Sequence, residues 1–114
     1  MNTPVKLWLV MSCGNPGVGR YQDPLHPAVL TLIHAAATAA DGAGIELSVC
    51  GEMAGDPLGA LALVGLGVQT LSMTAPRLPA VRRAIREATA SDLQERATIA
   101  RSRGTAAEAR SIFG

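Results

Sequence analysis

The sequence predicts an α/β fold with parallel strands, and three observations carry that reading. Ile45, Leu47 and Val49 alternate with Glu46, Ser48 and Cys50, which is strand spacing. A stretch of helical spacing opens at Pro57, and a second alternating run, Val68 to Met73, follows it. Both faces of that second run are only weakly polar, as expected where helices cover a parallel sheet. Strand, short crossover and strand imply parallel neighbours with a right-handed connection.

Taken in order, Met1 to Pro24 carry little regular signal. Val5 to Met11 fits a strand or a buried helical turn equally well, and Cys13 to Gly19 reads as a loop by its Gly and Pro content. Pro27 opens a helix in which Val29, Leu32, Ile33 and Ala36 share a face, and the glycines at 42 and 44 end it. Asp56 suits a helix cap and Pro57 its first turn. That helix should turn Leu58, Leu61 and Ala62 inward and stop at Gly65 and Gly67. A further helix from Pro79 to Ala88 has the stripe Val81, Ala84, Ile85 and Ala88, which leaves Arg82, Arg83 and Arg86 outside it. Ser91 with Gln94, and Thr105 with Glu108, form capping boxes for two last helices separated by Gly104. No repeat of solenoid period is present. Two parallel strands would leave both sheet edges unpaired, so the chain reads as part of a larger fold.

Composition narrows the function classes. At 114 residues the chain makes one small domain. A net charge of +1 and an aromatic content of 3% argue against nucleic-acid binding by charge or by base stacking. Two cysteines, Cys13 and Cys50, are a poor disulfide framework. The apolar run from Leu7 to Met11 is too short for a signal peptide, and Val10-Met11-Ser12-Cys13 resembles a lipoprotein cleavage site only faintly. No run reaches the ~18 apolar residues of a membrane span. The expected compartment is the cytoplasm.

The chemistry concentrates in Cys50-Gly51-Glu52-Met53-Ala54-Gly55-Asp56-Pro57. A reactive residue at the end of a strand, just before a loop and a helix, is where α/β folds place their sites. On spacing alone, Cys50 is more often a small buried apolar residue than an acid. Glu52 either orients the loop by accepting backbone N–H bonds or is a solvated carboxylate. Gly51 and Gly55 allow tight turns. A phosphate cradle is disfavoured, because Asp56 occupies the helix-start amides and repels an anion. His26 and His34 lack any supporting motif for phosphoryl acceptance, and no metal-ligand spacing joins them to a thiol or carboxylate. Arg82, Arg83, Arg86, Arg96, Arg101 and Arg103 read as solvated helix faces.

Asp23-Pro24-Leu25-His26-Pro27-Ala28-Val29-Leu30 and the Cys50–Pro57 loop together resemble enzyme I, the phosphoenolpyruvate-protein phosphotransferase family. Leu66-Gly67-Val68, Leu71-Ser72-Met73, the Pro79 helix and the Thr105 tail continue the likeness, which runs from about Gly14 to Phe113. Pyruvate phosphate dikinases and phosphoenolpyruvate synthases are similar in the Cys-Gly-Glu loop but less so elsewhere.

The resemblance implies the end of a (β/α)8 barrel, with its last two parallel strands, their helices and C-terminal helices in residues 14–114. Residues 1–13 would then be a divergent or unrelated segment. It implies phosphoenolpyruvate or pyruvate as ligand, magnesium as cofactor, a phosphocarrier protein as partner of the full-length family, and self-association through the barrel. By resemblance, Cys50 is the acid that protonates pyruvate enolate. A thiol of ordinary pKa, about 8.5, is mostly protonated at neutral pH and is readily regenerated.

Two departures stand against these likenesses. Asn2 falls at the family's substrate-binding Asn, but Thr3 stands where the resemblance implies a magnesium carboxylate, so by resemblance the metal site lacks that ligand. Cys13 stands where a substrate Arg is expected and offers neither its charge nor its fork of donors. The resemblance therefore implies either an inactive fragment of the phosphotransferase or a non-catalytic remnant that acts as an association module.

Overall fold

A computed structural model of the chain describes residues 6–10 and 23–114. Asn2, Thr3, Cys13 and the loop that follows it lie outside the described residues.

The sheet has three parallel strands in the order β1 (Lys6–Val10), β2 (Glu46–Cys50), β3 (Thr70–Ser72). The expected parallel pair is β2 with β3, registered Ser48 to Thr70 and Cys50 to Ser72. The expectation of two strands is corrected to three. Lys6–Val10 resolves the ambiguity between strand and helical turn by pairing along the whole of β2, from Lys6 opposite Glu46 to Val10 opposite Cys50. Five apolar or amphipathic residues in a row have no decisive period, and only a partner strand could choose. A side-chain bond from the Thr70 hydroxyl to the Glu46 carboxylate ties β3 to β2.

Helix α1 (Pro27–Ala43) ends at Gly44, whose φ of 71° lets the chain turn and lets its N–H reach the Ala40 and Asp41 carbonyls. Its buried stripe is Leu30, Ile33, Ala37 and Ala40. Of the stripe read from the sequence only Ile33 is buried, and Leu32 is 68% exposed. The helix is apolar on several sides, so its own periodicity could not select the face that packs on β2 and on helix α5 (Ala90–Arg101).

Helix α3 (Pro57–Gly65) is the centre of the helical layer. Asp56 caps it as expected, accepting from the Leu58 N–H at 3.3 Å. Gly59, Ala60, Leu61, Ala62 and Leu63 are all buried, whereas the sequence indicated one inward stripe. A helix that is apolar all round is covered all round, and here α2 (Glu52–Gly55), α4 (Leu78–Arg86), α5 and α6 (Ala106–Phe113) share the covering.

Gly65 does not simply stop α3. A Cβ there would collide with the carbonyl oxygen of Leu93 in α5, so the missing side chain is what allows the two helices to touch. The chain turns afterwards at Gly67, with φ of 99°.

At the start of α5, Thr89 is the cap, accepting from the Asp92 N–H at 3.3 Å, so the Ser91–Gln94 capping box is a correction. Both strings have the three-residue spacing. Starting at Thr89 places the Asp92 carboxylate in the first turn, where the helix dipole favours it. The Thr105 box is as expected: Thr105 accepts from the Glu108 N–H and donates to its carboxylate.

Arg110 of α6 locks three elements together. It donates to Asp23, ahead of α1, at 2.8 Å and to Asp56, the cap of α3, at 3.0 Å. Burial raises the Asp23 pKa, but the Arg110 bond, the Leu25 N–H and the charges of Arg110 and His26 outweigh it and hold the carboxyl below its ordinary range. The Asp23 bond in turn raises the pKa of Arg110.

Because the folded Asp23 pKa is depressed, the stability it contributes is present above the ordinary carboxylate range and is lost as pH falls through the folded value. All three side chains are about one-third exposed, so solvent screens the network. Arg110→Ala should therefore cost about 1 kcal/mol near neutrality, a fall in Tm of roughly 4–8 °C. It should also flatten the acid limb of the stability profile. Thermal melts from pH 3 to 7 check both, and an unchanged acid limb would show that the network contributes nothing.

Candidate functional site

The C-terminal ends of the strands come level, with Val10, Cys50 and Ser72 in register. Ligands in open α/β sheets bind outside that edge. A cleft of about 510 Å³ opens there. It is lined by Cys50, Gly51, Glu52 and Gly55 from the end of β2 and α2, and by Ser72, Met73, Thr74 and Arg77 from the end of β3 and the turn after it.

Cys50 is the last residue of β2 and is half-buried. Its position follows from the local sequence. Leu47, Ser48 and Val49 are buried and anchor the strand. Gly51 then takes φ of 102°, a conformation that side-chain-bearing residues rarely adopt. The break turns the chain into α2, where Met53 and Ala54 are buried and Glu52 is exposed. The stretch read as a loop thus contains one helical turn, held by the Gly55 and Asp56 N–H groups on the Gly51 and Glu52 carbonyls. A four-residue turn that ends in a glycine gives too short a period to recognise.

The structure brings Cys50, Gly51, Glu52 and Gly55 together at one cleft and leaves the histidines elsewhere. His26 Nδ1 accepts from the Ala28 N–H at 3.1 Å and caps α1. His34 faces a separate cleft with Gln94, Thr98 and Arg101. Of the arginines read as solvated, Arg82, Arg83, Arg86 and Arg103 are exposed. Arg96 pairs with Asp92 at 3.0 Å, while Arg101 is half-buried with its Nε unpartnered.

Sequence reasoning missed Arg77. It ends a 3₁₀ turn, Ala75–Arg77, just after β3, and no motif marks it. The signal available was its distance of a few residues past a strand end, which is where such a side chain reaches a site at the sheet edge.

Among the described residues no three His, Cys, Asp or Glu side chains gather where they could hold a metal ion. These residues alone do not fit magnesium, and no chemical step is assigned to it here. No helix among them is long and apolar enough to cross a membrane.

Over residues 2–90 the chain matches the family of PEP-utilising enzymes, in the part described as the PEP-binding domain. It is 46% identical over 93 residues to a phosphoenolpyruvate-protein phosphotransferase of Streptomyces coelicolor, a match that covers 82% of this chain and 17% of that protein. It is 38% identical over 104 residues to a multiphosphoryl transfer protein of Rhodobacter capsulatus, covering 91% and 13%. A phosphoenolpyruvate-protein phosphotransferase of Haloferax volcanii is 44% identical over 98 residues, covering 83% and 17%. The chain therefore spans less than a fifth of the length of these relatives. With its strand-end cysteine, its glycine-flanked turn and these matches, the chain belongs to the phosphoenolpyruvate-protein phosphotransferase family of PEP-utilising enzymes.

Proposed function

We propose that residues 14–114 are the closing part of a (β/α)8 barrel and that the Cys50 cleft is the pyruvate end of a phosphoenolpyruvate site. The observation that carries this reading is the placement of Cys50: last residue of β2, half-buried, opening into a cleft large enough for a three-carbon acid.

In the family reaction the P–O bond of phosphoenolpyruvate breaks and the phosphoryl group passes to a histidine of another domain, then to a phosphocarrier protein. The enolate left behind takes a proton at its methylene carbon from the Cys50 thiol. Pyruvate results, and water reprotonates the thiolate. Gly51 sets the direction of the turn, and Glu52 and Gly55 shape the wall beside the thiol. The compartment in this reading is the cytoplasm.

The 114 residues alone should not turn over phosphoenolpyruvate. Phosphoryl transfer depends on positioning and charge stabilisation. Thr3 and Cys13 supply neither a metal carboxylate nor a substrate Arg. Transplanting residues 14–114 into the Streptomyces coelicolor relative, in place of its matching segment, restores both groups from the host. The transplant should then exchange the methyl protons of pyruvate with solvent, while the native chain shows no exchange and takes up no label from phosphoenolpyruvate.

An alternative reading as an association module is favoured by β3, whose outer edge is unpaired among the described residues. An inactive transplant, with a native chain that sediments as a dimer, would select it. Exchange by the native chain that disappears in Cys50→Ala would show that the 114 residues are an enzyme by themselves and would overturn the association reading.

A further inference from the structure

Arg77 brings a positive charge to the Cys50 cleft, and nothing in the sequence pattern drew attention to it. Among the described residues that line the cleft, Arg77 is the only cation and Glu52 the only carboxylate. Arg77 is exposed and makes no ion pair among the described residues. Its guanidinium is therefore not committed to holding the fold together.

The stem of Arg77 is placed all the same. A Cβ built on Gly55 would sit 3.3 Å from Arg77 Cγ and 3.6 Å from its Cβ. Gly55 thus leaves the space in which the Arg77 stem lies against α2, in the cleft that Cys50 and Glu52 also line. The 3₁₀ turn sets the same residue just beyond the C-terminal end of β3, beside Ser72 and Thr74. A guanidinium fork and two hydroxyls near a thiol form a set of donors, and that set suits a small anion.

We infer that Arg77 is the residue of this chain that binds and orients the carboxylate of a small 2-oxo or enol acid in the Cys50 cleft. This rests on the reading of that cleft as a pyruvate site. The charges favour a carboxylate over a phosphate. Among the described lining residues one Arg stands against one Glu, which leaves them close to neutral. A monoanion gains a bidentate partner there, while a dianion finds one described guanidinium with the Glu52 carboxylate beside it. Arg77 is a binding and positioning residue, set apart from the proton donor. From the turn after β3 it supplies the kind of donor that a cysteine at position 13 lacks.

The test is titration of the 114-residue chain with pyruvate and, separately, with inorganic phosphate, followed by amide chemical shifts. Pyruvate should bind in the millimolar range and shift the amides of the Cys50–Gly55 stretch. Arg77→Gln keeps the Cβ and Cγ that lie against Gly55, so it removes the charged fork with little disturbance of packing. It should weaken pyruvate binding by about tenfold or more. Arg77→Lys, with charge but no fork, should fall between the two. Arg82→Gln, on the outer face of α4, should bind as the unaltered chain does.

Equal affinity for the unaltered chain and Arg77→Gln, no pyruvate binding, or tighter binding of phosphate than of pyruvate would each overturn the inference. The two proposals fail separately. Arg77-dependent binding with an inactive transplant removes the proton-donor reading and leaves the carboxylate site. An active transplant whose KM for pyruvate ignores Arg77→Gln removes only the carboxylate site.

Discussion

In the transplanted enzyme, Cys50→Ala should slow the exchange of pyruvate methyl protons by about 10²–10⁴-fold, the range associated with loss of a positioned general acid or base. The effect should lie in kcat, with KM for pyruvate changed only a few-fold, because the thiol acts on the reacting carbon and other groups hold the ligand. Cys50→Ser should be nearly as slow, since a hydroxyl of similar size is a far weaker acid. Stability should change little. Cys50 is half-buried at a strand end, and the anchoring of β2 comes from Leu47 and Val49, which are 2% and 0% exposed. Cys50→Ala enzyme that exchanges protons at the unaltered rate would mean that the proton comes from elsewhere and that Cys50 is packing. Transfer of phosphoryl to the histidine should be affected less on the first turnover than on later ones, because protonation follows the phosphoryl step.

A large stability effect is expected at Gly65. In an open helix, Gly→Ala adds roughly 0.5–1 kcal/mol by reducing the freedom of the unfolded chain. Gly42, near the end of α1 with nothing within 4 Å of its would-be Cβ, should show that gain. Gly65→Ala should show the opposite sign. Its Cβ would fall on the Leu93 carbonyl oxygen and close to Ala97 Cβ, and neither backbone can yield without moving α3 away from α5. A loss of about 1–3 kcal/mol is expected for Ala and more for Gly65→Val, enough to remove a large part of the stability of a domain this size. Urea denaturation of the three variants checks the order Gly42→Ala above the unaltered chain, then Gly65→Ala, then Gly65→Val. A Gly65→Ala protein as stable as Gly42→Ala would show that the helices do not meet as described.

Much of this was legible from local chemistry. The strand Ile45 to Cys50, the Asp56 cap, the Thr105 box and the turn at Gly44 are encoded within a few residues of where they act. Their periodicity, capping hydrogen bonds and backbone freedom need no distant partner. The Cys50–Pro57 string marked the site for the same reason: strand end, glycine and cap are neighbours in sequence.

The sequence by itself therefore determined the α/β order, the two parallel strands that flank α3 and the strand-end place of the thiol. Tertiary structure alone decided the rest, and the physical reason is common to every case. Whether Lys6–Val10 is a strand depended on β2, forty residues away. Which stripe of α1 is buried depended on where α5 and β2 lie, because its alanines allow several faces. That Gly65 is a contact point depended on Leu93, and that Arg110 is a tie depended on Asp23 and Asp56. Arg77 became a site residue only because β3 pairs beside β2 and brings two strand ends level. Each of these properties belongs to a pair of distant groups, and pairs of that kind exist only once the chain has folded.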